Sequence, residues 1–181
     1  TPIHKESCMI NFKEKGFAFE RKIAREFGIW WADDPNSLYR NTGSGSRATK
    51  VRGVYAGDIV PANDTIKNWP FCIELKKSEQ WSVENFINGN PGEPLLQYMI
   101  QALSAAETGS NERCMLICAK KYKKALCFLH VHAFRYFLDF EESSILGRLI
   151  WRKPINIETC WRAPIIDFYI LYLEDFFKLD R

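Results

Sequence analysis

Four side chains carry the types and the spacing that chemistry on a phosphodiester needs. Glu74 and Lys76 stand two residues apart in PFCIELKK, Asp58 opens the apolar pair Ile59–Val60, and Glu20 interrupts an apolar helical stripe. In a strand, residues i and i+2 share a face. Cys72, Glu74 and Lys76 therefore face one way and Phe71, Ile73 and Leu75 the other, which sets a carboxylate beside an ammonium on a sheet. Hard Mg²⁺ takes oxygen ligands, usually one or two carboxylates with water and phosphate. Asp58 and Glu74 supply the carboxylates and the Leu75 carbonyl a further oxygen, with Mn²⁺ expected to substitute. Lys76 then orients or deprotonates an attacking water and offsets charge in the transition state. Glu20 reaches the same cluster directly or through water, and Gln97 fixes a water or the lysine. The plainer alternative is an ion pair on a half-exposed strand, which would carry no chemistry.

The elements that must position these residues follow from periodicity. GFAFERKIAREFG, Gly16 to Gly28, places Phe17, Phe19, Ile23, Ala24 and Phe27 on one helical stripe, with Gly28 as a stop signal. Glu20 falls inside that stripe, where a carboxylate is costly without a cation or donor unless it reaches solvent at the stripe's edge. SLYR reads as a short strand, followed by a glycine- and hydroxyl-rich loop with Arg40, Arg47, Lys50 and Arg52 and no acidic residue between Pro35 and Gly57. Such loops suit phosphate, though many are merely solvated. Asp58–Val60, the turn ANDTIKN and WPFCIELKK are expected to form an antiparallel hairpin that brings Asp58 near Glu74. Glu93 to Gly109 is an amphipathic helix, on which Gln97 and Gln101 share a side. RCMLICAKKYKKALCFLHVHAF reads as strand, basic turn, strand, and a lysine-rich tip is ordinarily a solvated edge, with DNA contact the alternative. HAFRYFLDF suggests a short helix, and the tail from Ser143 reads as strands or as a strand plus a helix.

The totals bound the rest. The 181 residues suggest one domain, with a core at about 13–135 and a C-terminal extension at about 143–181. At 46% hydrophobic and 14% aromatic, the chain can bury a real core, and its net charge of +3 is too small to identify a partner. No run approaches the roughly 18 to 20 apolar residues that cross a bilayer. The polar N-terminus lacks a signal peptide's apolar segment, so an intracellular, cytoplasmic protein is expected. Six scattered cysteines without a C-x-x-C pair argue for buried reduced thiols rather than zinc. His130 and His132 are expected on one strand face in a structural role.

GDIV and IELKK resemble the PD-(D/E)XK nuclease signature, with Gly57 where a proline usually sits. GFAFERKIAREFG, YRNTGSGS, GDIV and CIELK are more narrowly similar to the archaeal-type Holliday-junction resolvases, which phages also carry. The resemblance spans about Lys13 to Arg135. It implies an α/β, restriction-endonuclease-like core, a mixed central sheet flanked by helices, with the tail lying beyond the compact core. It matches Glu20 and Arg21 to a helical Glu-Arg pair, and Arg40 with Ser44 or Ser46 to a strand arginine beside a Gly/Ser loop. Asp58 and Glu74 match the metal carboxylates and Lys76 the lysine. It further implies a homodimer whose two sites nick opposed strands of branched double-stranded DNA, a four-way junction. The expected phosphate contacts are Arg21, Arg40, Arg47, Lys50, Arg52 and Lys77. Three alternatives remain at this level: another nuclease of the same fold (restriction, repair or exonuclease type), a DNA-binding module without chemistry, and a structural protein.

Overall fold

The structure is a computed structural model that describes residues 3–41, 56–62, 69–88, 90, 92–109, 113–137 and 168–179. Helix α1, Ile3–Ala32, is longer than the sequence pattern implied. Its inward side carries Ile23, Ala24, Phe27 and Trp30, the i, i+1, i+4, i+7 spacing of one helical face. Gly28 does not stop the helix. It admits the returning chain instead, since a Cβ there would lie 2.6 Å from the Asp34 carbonyl oxygen. The helix breaks at Asp33, whose φ of 55° is left-handed.

Strand β1, Leu38–Arg40, pairs antiparallel with β2, Ile59–Pro61, in the register Leu38↔Pro61 and Arg40↔Ile59. The main sheet has the order β3-β4-β5-β6. β3, Phe71–Lys77, runs parallel to β4, Arg113–Ala119, while β5, Leu126–His130, and β6, Phe168–Tyr172, continue the sheet antiparallel. The expected β2–β3 hairpin is therefore corrected: β2 ladders with β1, and it reaches β3 through the contacts of Asp58 described below.

Two helices lie between β3 and β4. α2 spans Val83–Ile87 and α3 spans Pro94–Thr108. Proline sits in the first turn of α3, where no N–H is missed, and the buried Glu93 carboxylate caps it by accepting from the Leu95 N–H at 3.3 Å. The same oxygen accepts from Ser82 N–H at 2.7 Å, so one side chain ties the start of α3 to the loop before α2.

Alternation along the strands feeds two cores. Phe71, Ile73, Leu75, Met115, Ile117 and Leu129 pack under α1 with Phe27, Trp30 and Phe176. Cys72, Cys114, Leu116, Phe128 and Ile170 pack against Leu95, Met99, Ala102 and Ala106 of α3. β3 is consequently covered on both faces rather than half-exposed. Of the tail, residues 143–167 lie outside the described residues; residues 168–179 form β6 followed by α5, Leu173–Phe176, with Phe176 buried in the first core. Residues 131–137 (α4) are helical, so His132 leaves the strand that His130 ends, and the two rings lie 5.1 Å apart. Among the described cysteines, Cys72, Cys114, Cys118 and Cys127 are buried and free, as expected of reduced thiols, and burial pushes the Cys72 thiol up to about 12. No described helix is long and apolar enough to cross a membrane. This is the mixed sheet flanked by helices that the sequence implied.

Phe27 is 0% exposed and meets the rings of Trp30, Trp69, Phe176 and Phe177 at 4.9 to 6.0 Å. Phe27→Ala should cost about 3–5 kcal/mol, read as a lower midpoint in urea unfolding; a loss under about 1 kcal/mol would mean this aromatic cluster does not hold α1 to the sheet.

Candidate active site

Asp58 belongs to a loop, and its position is imposed by its neighbours. Its N–H donates to the Ile73 carbonyl at 2.7 Å, and its carboxylate Oδ2 accepts the Leu75 N–H at 2.8 Å. The segment is strapped from the other side by Asn41, which follows β1. The Asn41 N–H donates to the Asp58 carbonyl at 2.8 Å and its Nδ2 to the Gly57 carbonyl at 3.0 Å. Gly57 makes this approach possible. Its φ is +95°, and a Cβ would sit 2.6 Å from the Ile73 oxygen and 2.9 Å from the Ile73 nitrogen. Behind it, Ala56 packs so tightly on the end of α3 that a Cβ on Gly109 would lie 2.5 Å from the Ala56 Cβ.

Glu74 projects from β3 toward α3 and is only 5% exposed. Lys76, on the same face, donates from Nζ to Glu74 Oε1 at 2.7 Å, and its ammonium lies 5.6 Å from the centre of the Tyr98 ring on α3. Asp58 is 7% exposed, so two carboxylates and one amine share a largely dry edge of the sheet. Burial raises the pKa of Glu74 above its ordinary value, the Asp58 carboxylate raises it further, and Lys76 opposes both.

The chemistry of this donor set fits a hard divalent cation. Two buried carboxylates on one sheet edge repel, and one ammonium offsets only part of that repulsion, so a cation would relieve what remains. The Leu75 carbonyl is on the right edge to contribute. Ile73 C=O and Leu75 N–H both face Asp58, and in a strand the polar groups of a residue point to the same side. Glu20 stands elsewhere in the site. It is paired with Arg40, whose guanidinium also lies 3.7 Å from the centre of the Phe17 ring. That pairing gives the stripe-breaking carboxylate its cation. Glu20 remains close enough to raise Glu74 slightly. Among the described residues, no group of three or more His, Cys, Asp and Glu side chains is arranged to hold a metal ion.

The remaining candidates divide by position. Arg21 is exposed on α1, and Lys77 is exposed at the end of β3 with its ammonium 5.7 Å from the Phe19 ring. Gln97 is exposed on α3; the next residue, Tyr98, is the one that meets Lys76. Ser44, Ser46, Arg47, Lys50 and Arg52 lie outside the described residues. Asn41 and Tyr98 were missed by sequence reasoning. Asn41 directly follows the strand arginine, which was the available signal, whereas Tyr98 sat on a helix read only for its apolar stripe and its glutamines.

A family model described as "Phage putative PDDEXK endonuclease" matches residues 11–148. No curated protein and no solved structure matches the chain.

Two outcomes test this geometry. Gly57→Ala forces a clash with the β3 backbone at a left-handed φ, and should destabilise by about 1–3 kcal/mol while displacing Asp58; wild-type stability and divalent-cation affinity by calorimetry would refute the clamp. The second concerns pH. Native Glu74 holds its proton to higher pH than the unfolded chain, so above the ordinary value of 4.5 the native state carries the extra proton and stability falls as pH rises. In EDTA, wild-type urea midpoints should decline through that window, and Glu74→Gln should flatten the decline. Parallel profiles for the two proteins would show that Glu74 is not the strained group.

Proposed function

The chain belongs to the family of phage PDDEXK endonucleases, and on that premise we propose that it is a Mg²⁺-dependent, structure-specific DNA endonuclease that nicks opposed strands of four-way junctions as a homodimer. The observation that carries the catalytic part is Asp58 clamped onto β3 beside the Glu74–Lys76 pair.

In this reading Asp58, Glu74 and the Leu75 carbonyl would hold the cation. When bound, it makes a water more acidic and draws charge from the phosphoryl oxygens. Lys76 orients the attacking water toward phosphorus, held in place by Glu74 and by the Tyr98 ring beside it. As the water oxygen bonds to phosphorus and the ester oxygen leaves, the ammonium offsets the added negative charge. The hydrophobic cover of β3 keeps bulk water away and so strengthens each of these interactions. Arg40 grips a phosphate from the Glu20 side of the site, where Glu20 sets its orientation. Arg21 and Lys77 extend the phosphate track, with Ser44, Ser46, Arg47, Lys50 and Arg52 contributing from the loop. Such contacts fix register on the DNA without reading sequence. Glu20 and Gln97 act through water.

A second reading, an endonuclease of the same family acting on unbranched DNA, is equally compatible with the family description. A gel assay across linear duplex, flap and four-way junction, with Mg²⁺ or EDTA, decides between them. Asp58→Asn and Glu74→Gln should abolish Mg²⁺-dependent cleavage while junction binding persists, and Lys76→Ala should slow it by roughly 10²–10³-fold. Cleavage surviving both carboxylate changes would remove the site assignment, and a preference for linear duplex would remove the junction.

A further inference from the structure

The turn between β4 and β5 is built in a way that neither the catalytic edge nor the fold explains. Its sequence is Lys120-Lys121-Tyr122-Lys123-Lys124. Tyr122 is 90% exposed, and its φ of 60° lies in the left-handed region. A bulky residue rarely occupies that region, where glycine or asparagine fits without strain. Burial of the ring does not compensate, since its recorded neighbour is the Lys121 ammonium at 4.6 Å from the ring centre. Lysines at a strand end commonly protect a sheet edge from pairing, but there is no edge here: β4 lies between β3 and β5, and β5 between β4 and β6.

The turn is also firmly held. The Lys121 N–H donates to Glu79 Oε1 at 2.5 Å, the Ser78 N–H to the Ala119 carbonyl at 3.1 Å, and the Lys120 ammonium sits 4.8 Å from the Trp81 ring centre. A fixed base thus presents an outward ring. Beside it runs a cleft of about 540 Å³ that reaches α1, with Lys77, Lys120 and Lys123 on its walls beside the ion pairs Lys22–Glu26 and Lys124–Glu174. The turn leaves the same end of the sheet as the catalytic pair. Lys76 is in register with Cys118, so Tyr122 lies four residues on, at most about 13 Å along the strand direction. That is about four base-pair steps of stacked duplex DNA, and fewer nucleotides of an unstacked strand.

We infer that this turn is a stacking wedge for DNA: Tyr122 stacks on an unpaired base a few nucleotides from the point of cleavage, and the lysine-walled cleft carries the adjoining phosphates. The inference rests on the endonuclease reading and narrows its substrate to DNA that offers an unstacked base, as a branch or gap does. An aromatic face with flanking cations is the combination that holds single-stranded segments, because every base has a face to stack on.

The test uses the full chain in EDTA, so that binding is read without cleavage. The probes are a blunt duplex, a four-way junction, and a gapped duplex with 2-aminopurine at an unpaired position. Tyr122→Asn suits the left-handed backbone and should leave folding intact. Wild type should quench 2-aminopurine fluorescence, and Tyr122→Asn should lose the quench and bind gapped and four-way DNA about 5- to 100-fold more weakly, with duplex affinity within about twofold. Tyr122→Trp should restore both signals. Replacing Lys120 and Lys123 by Gln should weaken all three probes and lower the salt slope by about two. Equal quench and affinity in Tyr122→Asn, with wild type still cleaving DNA in Mg²⁺, overturns this inference alone. Quenching by a wild type that cleaves nothing sustains the wedge and overturns the nuclease reading. A wild type that binds none of the probes overturns both.

Discussion

The site exists because one loop carboxylate is held against a strand by main-chain hydrogen bonds. Asp58 and Leu75 are 17 residues apart, and β2 forms no ladder with β3. Position therefore comes from the Asp58 N–H on Ile73 and the Leu75 N–H on the Asp58 carboxylate. A hydrogen bond to a charged group contributes about 1.5–3 kcal/mol, enough to hold a short segment but not to force it past a clash. That is why Gly57, with no side chain to collide with Ile73, is as much a part of this site as the charged residues it positions. Asn41 completes the arrangement by linking the β1–β2 ribbon to the same two residues.

This clamp holds two like charges in a dry place, and the fold tolerates the cost elsewhere. A buried ion pair such as Glu74–Lys76 is a weak stabiliser compared with apolar residues of similar size. The raised pKa of Glu74 is the sign that burial and the Asp58 charge outweigh the attraction of Lys76. Stability is supplied by the other face of β3, where Phe71 stacks on Phe137 at 5.6 Å and meets Trp69 at 5.4 Å, and where Phe27 and Trp30 dock α1. The same strand thus presents an aromatic core on one side and strained charge on the other. The alternation of a pleated strand makes that division possible within seven residues.

The Glu20–Arg40 pair plays a comparable part at the entrance. Arg40 sits at the end of β1, and its pairing with Glu20, together with its stacking over Phe17, ties α1 to the ribbon that carries Asp58. Helix, ribbon and strand therefore meet at one charged corner. Farther along the α1 face, Lys77 begins the lysine-walled cleft that ends at the β4–β5 turn. Positive charge consequently runs from Arg40 past Lys77 to the β4–β5 turn along one end of the sheet, which suits a polyanion drawn across it.

The amino-acid sequence by itself determined what depends on local periodicity. The alternation of Phe71 to Lys76 and the α3 stripe sufficed to identify the strand with Glu74 and Lys76 and the helix behind it, because side-chain direction repeats every two or 3.6 residues. It misjudged α1 beyond Gly28, because a glycine that admits a neighbouring chain looks the same as one that ends a helix. It placed β2 on β3, since sequence adjacency favours hairpins, whereas the ladder went to β1. It left the role of the tail open, and β6, which lies within it, is the fourth strand of the sheet. Only the tertiary structure decided that Glu20 answers Arg40, that Tyr98 rather than Gln97 meets Lys76, and that Asp58 touches Leu75. Each is a contact between segments far apart in the chain, and such contacts follow from how faces pack together, which no local pattern encodes.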